Sequence, residues 1–477
     1  MPARKRYAKT LELPLLLLIL ALAAWETFDS FRDYRFVSGT FRFLTGMTDS
    51  EDGRNFPEFF TWGHTPDEKF LLRGEKEFFP HPDTFHTIQQ DIQKKYPDDP
   101  AWQMNSVRHT GEPDLRILHT FSKAEPDNAK YDYYIATALL APLVRWDAEK
   151  KLADPLQHGE IFQLFLSGSR KPYCRSYIGE VLKRKSQALG NGTDYPSAIA
   201  RMLLPQTTWL TPSYTSLFIN IPVYAESLAG QGGEENTQKA IELLDAFKPF
   251  IRQHVEDAVF TSEISLVNML LRQNTENFVN LYRRLGRNDK ADELRAWSYY
   301  VQAVIYKNYI SPFYNGSEGM GAKLFGTFAN DSERLENLRT EQVFDLRCWT
   351  GMTLVPILAL LSLILFYTRY GTFTVTLALI FILGIQPGLL LIEKYRTASD
   401  RILTTQDGIP GQEREMTETY KQGILRILNL PPEKLPPPPP LPAESEMKEE
   451  EETPEKTAPS PSSSGKTPEK TADAESK

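Results

Sequence analysis

Apolar residues are concentrated in three runs, Leu13–Trp25, Trp349–Tyr367 and Phe373–Ile392, while large apolar side chains all but vanish beyond Pro442. The second and third runs are each about 20 residues long, enough at about 1.5 Å per residue to cross a hydrocarbon core of about 30 Å. Only Thr368-Arg369-Tyr370-Gly371-Thr372 separates them, so they predict a membrane hairpin, with Trp349, Tyr367 and Tyr370 at interfacial levels. The first run follows Arg4, Lys5, Arg6 and Lys9, a basic region leading into an apolar one. Two readings stay open. Ala21-Leu22-Ala23 suits cleavage of a signal peptide, and Trp25 suits the interfacial anchor of a retained signal-anchor helix. Both place the following residues on the exported side, because the basic N-terminus stays inside. The membrane spans then put the Arg369 turn inside and the C-terminal tail outside, against the preference of Lys394, Arg396 and Arg401 for the cytoplasm. Within the third run, Gln386-Pro387-Gly388 interrupts the apolar sequence. An amide at that depth needs a partner and proline frees a carbonyl, so Gln386 and Pro387 are the candidate intramembrane contact.

Between the first and second runs the apolar spacing is helical. Ala240, Leu244, Phe247 and Ile251 share one face, Phe278, Leu281, Tyr282 and Leu285 another, and Ala291, Leu294, Trp297, Val301, Val304 and Ile305 a third. Gly286 suits the left-handed residue that ends a helix, and Asn288 or Asp289 suits the cap of the next. The unit is an αα-hairpin with one apolar seam per helix.

These residues carry a resemblance. The stretch from Leu281-Tyr282 through Leu285-Gly286 to Lys290-Ala291 and Leu294 resembles the core of a tetratricopeptide (TPR) hairpin, and Tyr224 to Gly230 leading to Lys239-Ala240 and Leu243-Leu244 is similar. Lys95-Tyr96-Pro97-Asp98-Asp99-Pro100-Ala101-Trp102 and Ala124-Glu125-Pro126-Asp127-Asn128-Ala129-Lys130-Tyr131 resemble the turns that join such units. Ala240 and Ala291 are 51 residues apart and Pro97 and Pro126 are 29 apart, whereas tandem TPR units recur at about 34. The expectation is therefore an irregular TPR-like solenoid over about residues 85–310, which implies an extended surface for a protein partner.

Six regions result: a signal peptide or signal anchor at 1–25, an aromatic-rich cap or juxtamembrane region at 26–84, an exported helical domain at 85–346, the membrane hairpin at 349–392, an amphipathic juxtamembrane segment at 393–430, and a disordered tail at 431–477. In the fifth, Met416, Tyr420, Ile424, Ile427 and Leu428 form one face, suited to a membrane surface or to a packing partner. The sixth holds prolines 436–440, the acidic run Glu449–Glu452 and a repeated Thr-Pro-Glu-Lys-Thr-Ala, too little apolar surface to offset chain entropy.

Composition sharpens this picture in one respect. The 477 residues are 41% hydrophobic and 24% charged, with a net charge of -8 and a mean hydropathy of -0.39. Those averages describe a soluble chain only because the polar tail offsets the apolar runs. The acidic balance offers no basic stripe for nucleic acid. Cys174 and Cys348, the two cysteines, can pair outside the cytosol only if residue 174 approaches the membrane, where Cys348 sits. His81-Pro-Asp83-Thr-Phe-His86 has a spacing that suits zinc poorly, and neither a nucleophile elbow nor a dinucleotide loop is present. No metal, cofactor or catalytic residue is expected. The sequence points to a mainly α, non-enzymatic integral membrane protein, of the inner membrane if bacterial, whose exported domain binds a protein partner. The second reading is an accessory subunit of a membrane transport or export complex, with contacts through Gln386.

Overall fold

The computed structural model describes residues 2–44, 94–109, 115–144, 149–189, 194–206, 214–308, 331–365, 368, 371–399, 409 and 411–435. The acidic tail, the His81–His86 motif and the cap region beyond residue 44 lie outside them. Every regular element among the described residues is helical, and one isolated parallel bridge joins Asn128 to Tyr173.

Three helices are long and apolar enough to cross a membrane. The first, α1 (Pro2–Leu44), carries the candidate span Leu13–Ser38. The other spans, Leu338–Leu365 and Phe373–Ser399, are followed below in α13 and in α14 with α15. Only 22%, 33% and 17% of their most apolar windows are buried inside the protein, so most of that apolar surface needs lipid. Ile19 and Ala23 meet Val355, Ala359, Ala378 and Ile382 in the bundle interior.

The helical domain follows in order: α2 (Pro100–His109), α3 (Leu115–Ala124), α4 (Ala129–Val144), α5 (Gly159–Ser169), α6 (Ile178–Leu189), α7 (Tyr195–Gln206), α8 (Thr215–Gly230), α9 (Glu234–Asp245), α10 (Phe247–Asp257), α11 (Thr261–Arg284) and α12 (Asn288–Asn308). Its joints are written in local chemistry. Asp99 accepts the Ala101 and Trp102 amides and starts α2. Asn128 accepts the Lys130 amide at 3.1 Å and starts α4. Between α11 and α12, Gly286 takes φ +74°, Arg287 N–H returns to Tyr282 O at 2.8 Å and Gly286 N–H to Arg283 O. This is the Schellman closure, in which glycine tolerates the left-handed conformation. Helix α12 begins at Asn288, so both expected caps lie inside its first turn, and Arg287 holds the cap position, its carbonyl accepting the Ala291 amide at 3.0 Å. Ala291 lies buried where the hairpin helices meet.

The membrane hairpin starts earlier than its apolar run, because α13 (Asp331–Leu365) is continuous from polar residues into the span. Next come α14 (Gly371–Ile380), a π turn (Phe381–Ile385) and α15 (Gln386–Ser399). The π turn, with Gln386 N–H bonded to Phe381 O, precedes Pro387, which cannot donate to the helix ladder and whose ring crowds the preceding turn. Last, α16 (Gly411–Leu428) packs on α10, α11 and α12. Tyr420, Ile424, Leu428 and Leu435 join the same core as Phe250, Phe278 and Trp297. The amphipathic face thus has a partner within its own chain, and Gly423 meets Val304 so closely that an added Cβ would stand 2.8 Å from it.

Gly286→Ala should cost about 1–2 kcal/mol through left-handed strain. Ile424→Ala should cost about 2–5 kcal/mol through a core cavity. Thermal or denaturant unfolding of the full chain checks both, and equal stability to wild type at residue 424 would mean that α16 does not complete the core.

Candidate functional site

A charged residue on each membrane helix converges at one level. Asp33 of α1, Arg347 of α13 and Glu393 of α15 are all buried. Arg347 donates through Nη2 to Asp33 Oδ2 at 2.8 Å and through Nε to Glu393 Oε2 at 2.7 Å. The second Glu393 oxygen accepts the Tyr195 amide at 2.9 Å, which is the first N–H of α7. An anionic oxygen at a helix N-terminus satisfies an otherwise orphaned donor and faces the positive end of the helix dipole. The Tyr195 ring packs at 5.0 Å on Phe344, whose ring lies 5.6 Å from the Arg347 guanidinium carbon. One guanidinium therefore links three membrane helices, and one carboxylate links them to the helical domain.

Deeper in the bundle the helices approach closely. At Gly351 an added Cβ would fall 2.0 Å from Ser30 Oγ, and Thr27 donates to the Gly351 carbonyl at 3.2 Å. A glycine at this crossing lets α1 and α13 meet backbone to side chain. Gln386 is buried and its amide donates to Thr350 Oγ1 at 2.7 Å. Thr350 in turn donates to the carbonyl of Leu346 or Arg347. Pro387 lies exposed on the outer face.

A second polar group lies inside the helical domain. Gln253 of α10 accepts from Tyr133 Oη at 2.5 Å and donates to the Gly168 and Lys171 carbonyls at 3.1 and 2.7 Å, tying α4 and α5 to α10. His254 donates through Nδ1 to Phe250 O at 3.0 Å, packs edge-to-face with Tyr214 at 5.0 Å, and leaves Nε2 buried without a partner. Burial, with the Lys130 charge beside it, holds this imidazole well below the usual histidine range, so it is neutral. Lys130 faces Asp257 at 3.7 Å. Burial works against its charge, while the Asp257 carboxylate beside it favours the ammonium. Lys185, over the Trp102 ring at 5.8 Å, is instead pushed down by burial to about 7.

Cys174 and Cys348 are both free and buried, one packed in the helical-domain core and the other in α13 next to Arg347. Burial pushes the Cys174 thiol up to about 12, which removes it from thiolate chemistry. Among the described residues, no group of three or more His, Cys, Asp or Glu side chains is placed to hold a metal ion. His119 stands exposed on α3.

The charged junction escapes the sequence reading because its members are 314 and 46 residues apart. A signal was nevertheless present: one ionisable residue at the same end of each apolar helix, which in a membrane demands a partner. No known protein family matches the chain, and no characterised relative or solved structure matches it.

Arg347→Leu should destabilise the protein by about 3–5 kcal/mol, since it leaves two buried carboxylates unpaired. Adding Asp33→Asn and Glu393→Gln should recover much of that loss; thermal unfolding in detergent reads both, and no recovery would show that the arginine acts by shape alone. His254 supplies a pH test. Its folded pKa is depressed, so its contribution is complete above the unfolded value near 6.5 and declines as pH falls below it. The wild type should therefore lose stability more steeply than His254→Phe between about pH 6.5 and 5, measured by denaturant midpoints across that range.

Proposed function

We propose that the protein is a non-enzymatic, membrane-anchored helical scaffold whose α2–α12 domain holds a protein partner at the membrane surface. The observation that carries this reading is the junction of Tyr195, Glu393, Arg347 and Asp33, which mounts the domain on the bundle through hydrogen bonds to a buried charge. A domain that only needed tethering would require no such contact. The hairpins α8–α9 and α11–α12, with small Ala240 and Ala291 buried at their crossings, support the TPR-like character of the surface it presents.

The basic residues Arg4, Lys5, Arg6 and Lys9 precede the first span and Arg369 lies between the second and third. By the positive-inside rule they support a cytoplasmic location for that end and an exported location for the bulk of the chain. The packing of α16 on α10–α12 supports the same side for the C-terminal segment. Ile19 and Ala23, packed in the bundle interior, favour a retained signal anchor over a cleaved peptide.

The second reading, an accessory subunit of a membrane transport or export complex, draws on the exposed bundle faces around Leu360, Ile364 and Ile380. Gln386 is half engaged within the chain: its amide N–H donates to Thr350, while its Oε1 lies buried without a partner.

Photoreactive side chains at Tyr173 and Tyr299, both exposed on the helical domain, and at Ile380 on the bundle separate the two readings in native membranes. The scaffold reading expects one protein adduct shared by the two domain positions. Protein adducts confined to Ile380 would replace it with the accessory-subunit reading.

A further inference from the structure

A cleft of about 640 Å³ runs between α1 and α13 on the outer face of the bundle. Its α1 wall is a single helical face, Leu20, Ala23, Ala24, Thr27, Phe28 and Phe31, and its α13 wall includes Leu360. From Leu20 to Phe31 it extends about 16 Å along the helix axis, about half of a hydrocarbon core of about 30 Å. That is the depth of one leaflet. Its lining is apolar apart from Thr27, whose hydroxyl proton is spent on the Gly351 carbonyl, so its side chains offer no free donor to a partner helix. The exposed Phe28 and Phe31 rings stand at its rim, where a closely packed helix dimer needs small residues.

The mouth of the cleft is built differently. Helical spacing continues the Leu20–Phe31 face to Arg35, one turn above Phe31, which is exposed. Arg32 beside it is half-buried and paired with Asp29 and Asp33 at 2.7 Å each. The antiparallel register fixed by Thr27 and Gly351 puts the exposed Trp349 just below these arginines, at the level where indole rings mark the membrane interface.

We propose that this cleft is a phospholipid site, in which one acyl chain of a lipid from the leaflet on the helical-domain side lies along α1 and α13 while its phosphate meets Arg35. The proposal rests on the reading that the three apolar helices span a bilayer. Arg35 gives the headgroup a charge to pair with, and the leaflet-long apolar walls give the chain a surface to bury.

Mass spectrometry of the detergent-purified full chain, released from its micelle in the gas phase, should find a single phospholipid retained on the wild type. Ala24→Trp fills the cleft from an exposed position, and Arg35→Glu repels the phosphate while leaving the cleft open. Both should reduce retention several-fold with the thermal midpoint unchanged. A photoreactive side chain at residue 24 should give a lipid adduct several-fold more often than one at Leu383, which is exposed at similar depth on another face. Unchanged retention in either variant, equal lipid labelling at the two positions, or an adduct with a second copy of the chain at residue 24 would each overturn the proposal. If the bundle did not cross a bilayer, lipid labelling would be missing at residue 383 as well, which separates failure of the membrane reading from failure of the site.

Discussion

A guanidinium buried among membrane helices has no water to fall back on, so its geometry dictates what surrounds it. Arg347 meets that demand with one carboxylate from each neighbouring helix, and the net negative charge left over is turned toward the first N–H of α7. Breaking any member leaves another orphaned. The register of α1 against α13 follows from this point, as do the close pass at Gly351, the Gln386 to Thr350 contact and the seat of the helical domain. Apolar packing alone would not select that register, because the walls of Leu, Ile and Ala are nearly equivalent one turn up or down. Polar groups here supply uniqueness more than stability, since replacing a buried ion pair by well-packed apolar residues is often neutral or better.

The two halves of the molecule use opposite solvents. In the bundle, charge is gathered inward and Leu, Ile and Phe face outward, so the interior is small and specific. In the helical domain the aromatic core is large, with Phe165, Phe218 and Phe250 in mutual ring contact and Phe247 against Phe218, and ion pairs such as Arg295 with Glu276 lie outside. The polar residues buried in that core are mostly engaged, as Gln253 is, and they tie helices distant in sequence to one another.

How much of this was legible in the sequence follows from the range of each interaction. Local features were: the three apolar spans, the Gly286 turn and the face from Met416 to Leu428 depend on residues within a few turns. The partner of that last face was not, because nothing near residue 420 says that α10–α12 lie across from it. The same holds for the junction. Asp33, Arg347 and Glu393 each look like an ordinary boundary charge until the helices are brought together, and Lys394 and Arg396 beside Glu393 divert attention to topology. Gln386 was visible as a residue that needs a contact, but its acceptor, Thr350, is a hydroxyl with no sequence mark of its own.

The seating of α16 has a consequence for biosynthesis. The domain core assembled from α4, α5 and α8–α12 is missing one wall until Tyr420, Ile424 and Leu428 arrive. Those residues are translated only after both later membrane helices. The ribosome therefore delivers the domain unfinished, its apolar seam open on α10–α12, and the last helix can close it only once the hairpin has been synthesised. Synthesis of the hairpin and completion of the domain are therefore successive, the last turns of α16 coming after both membrane helices.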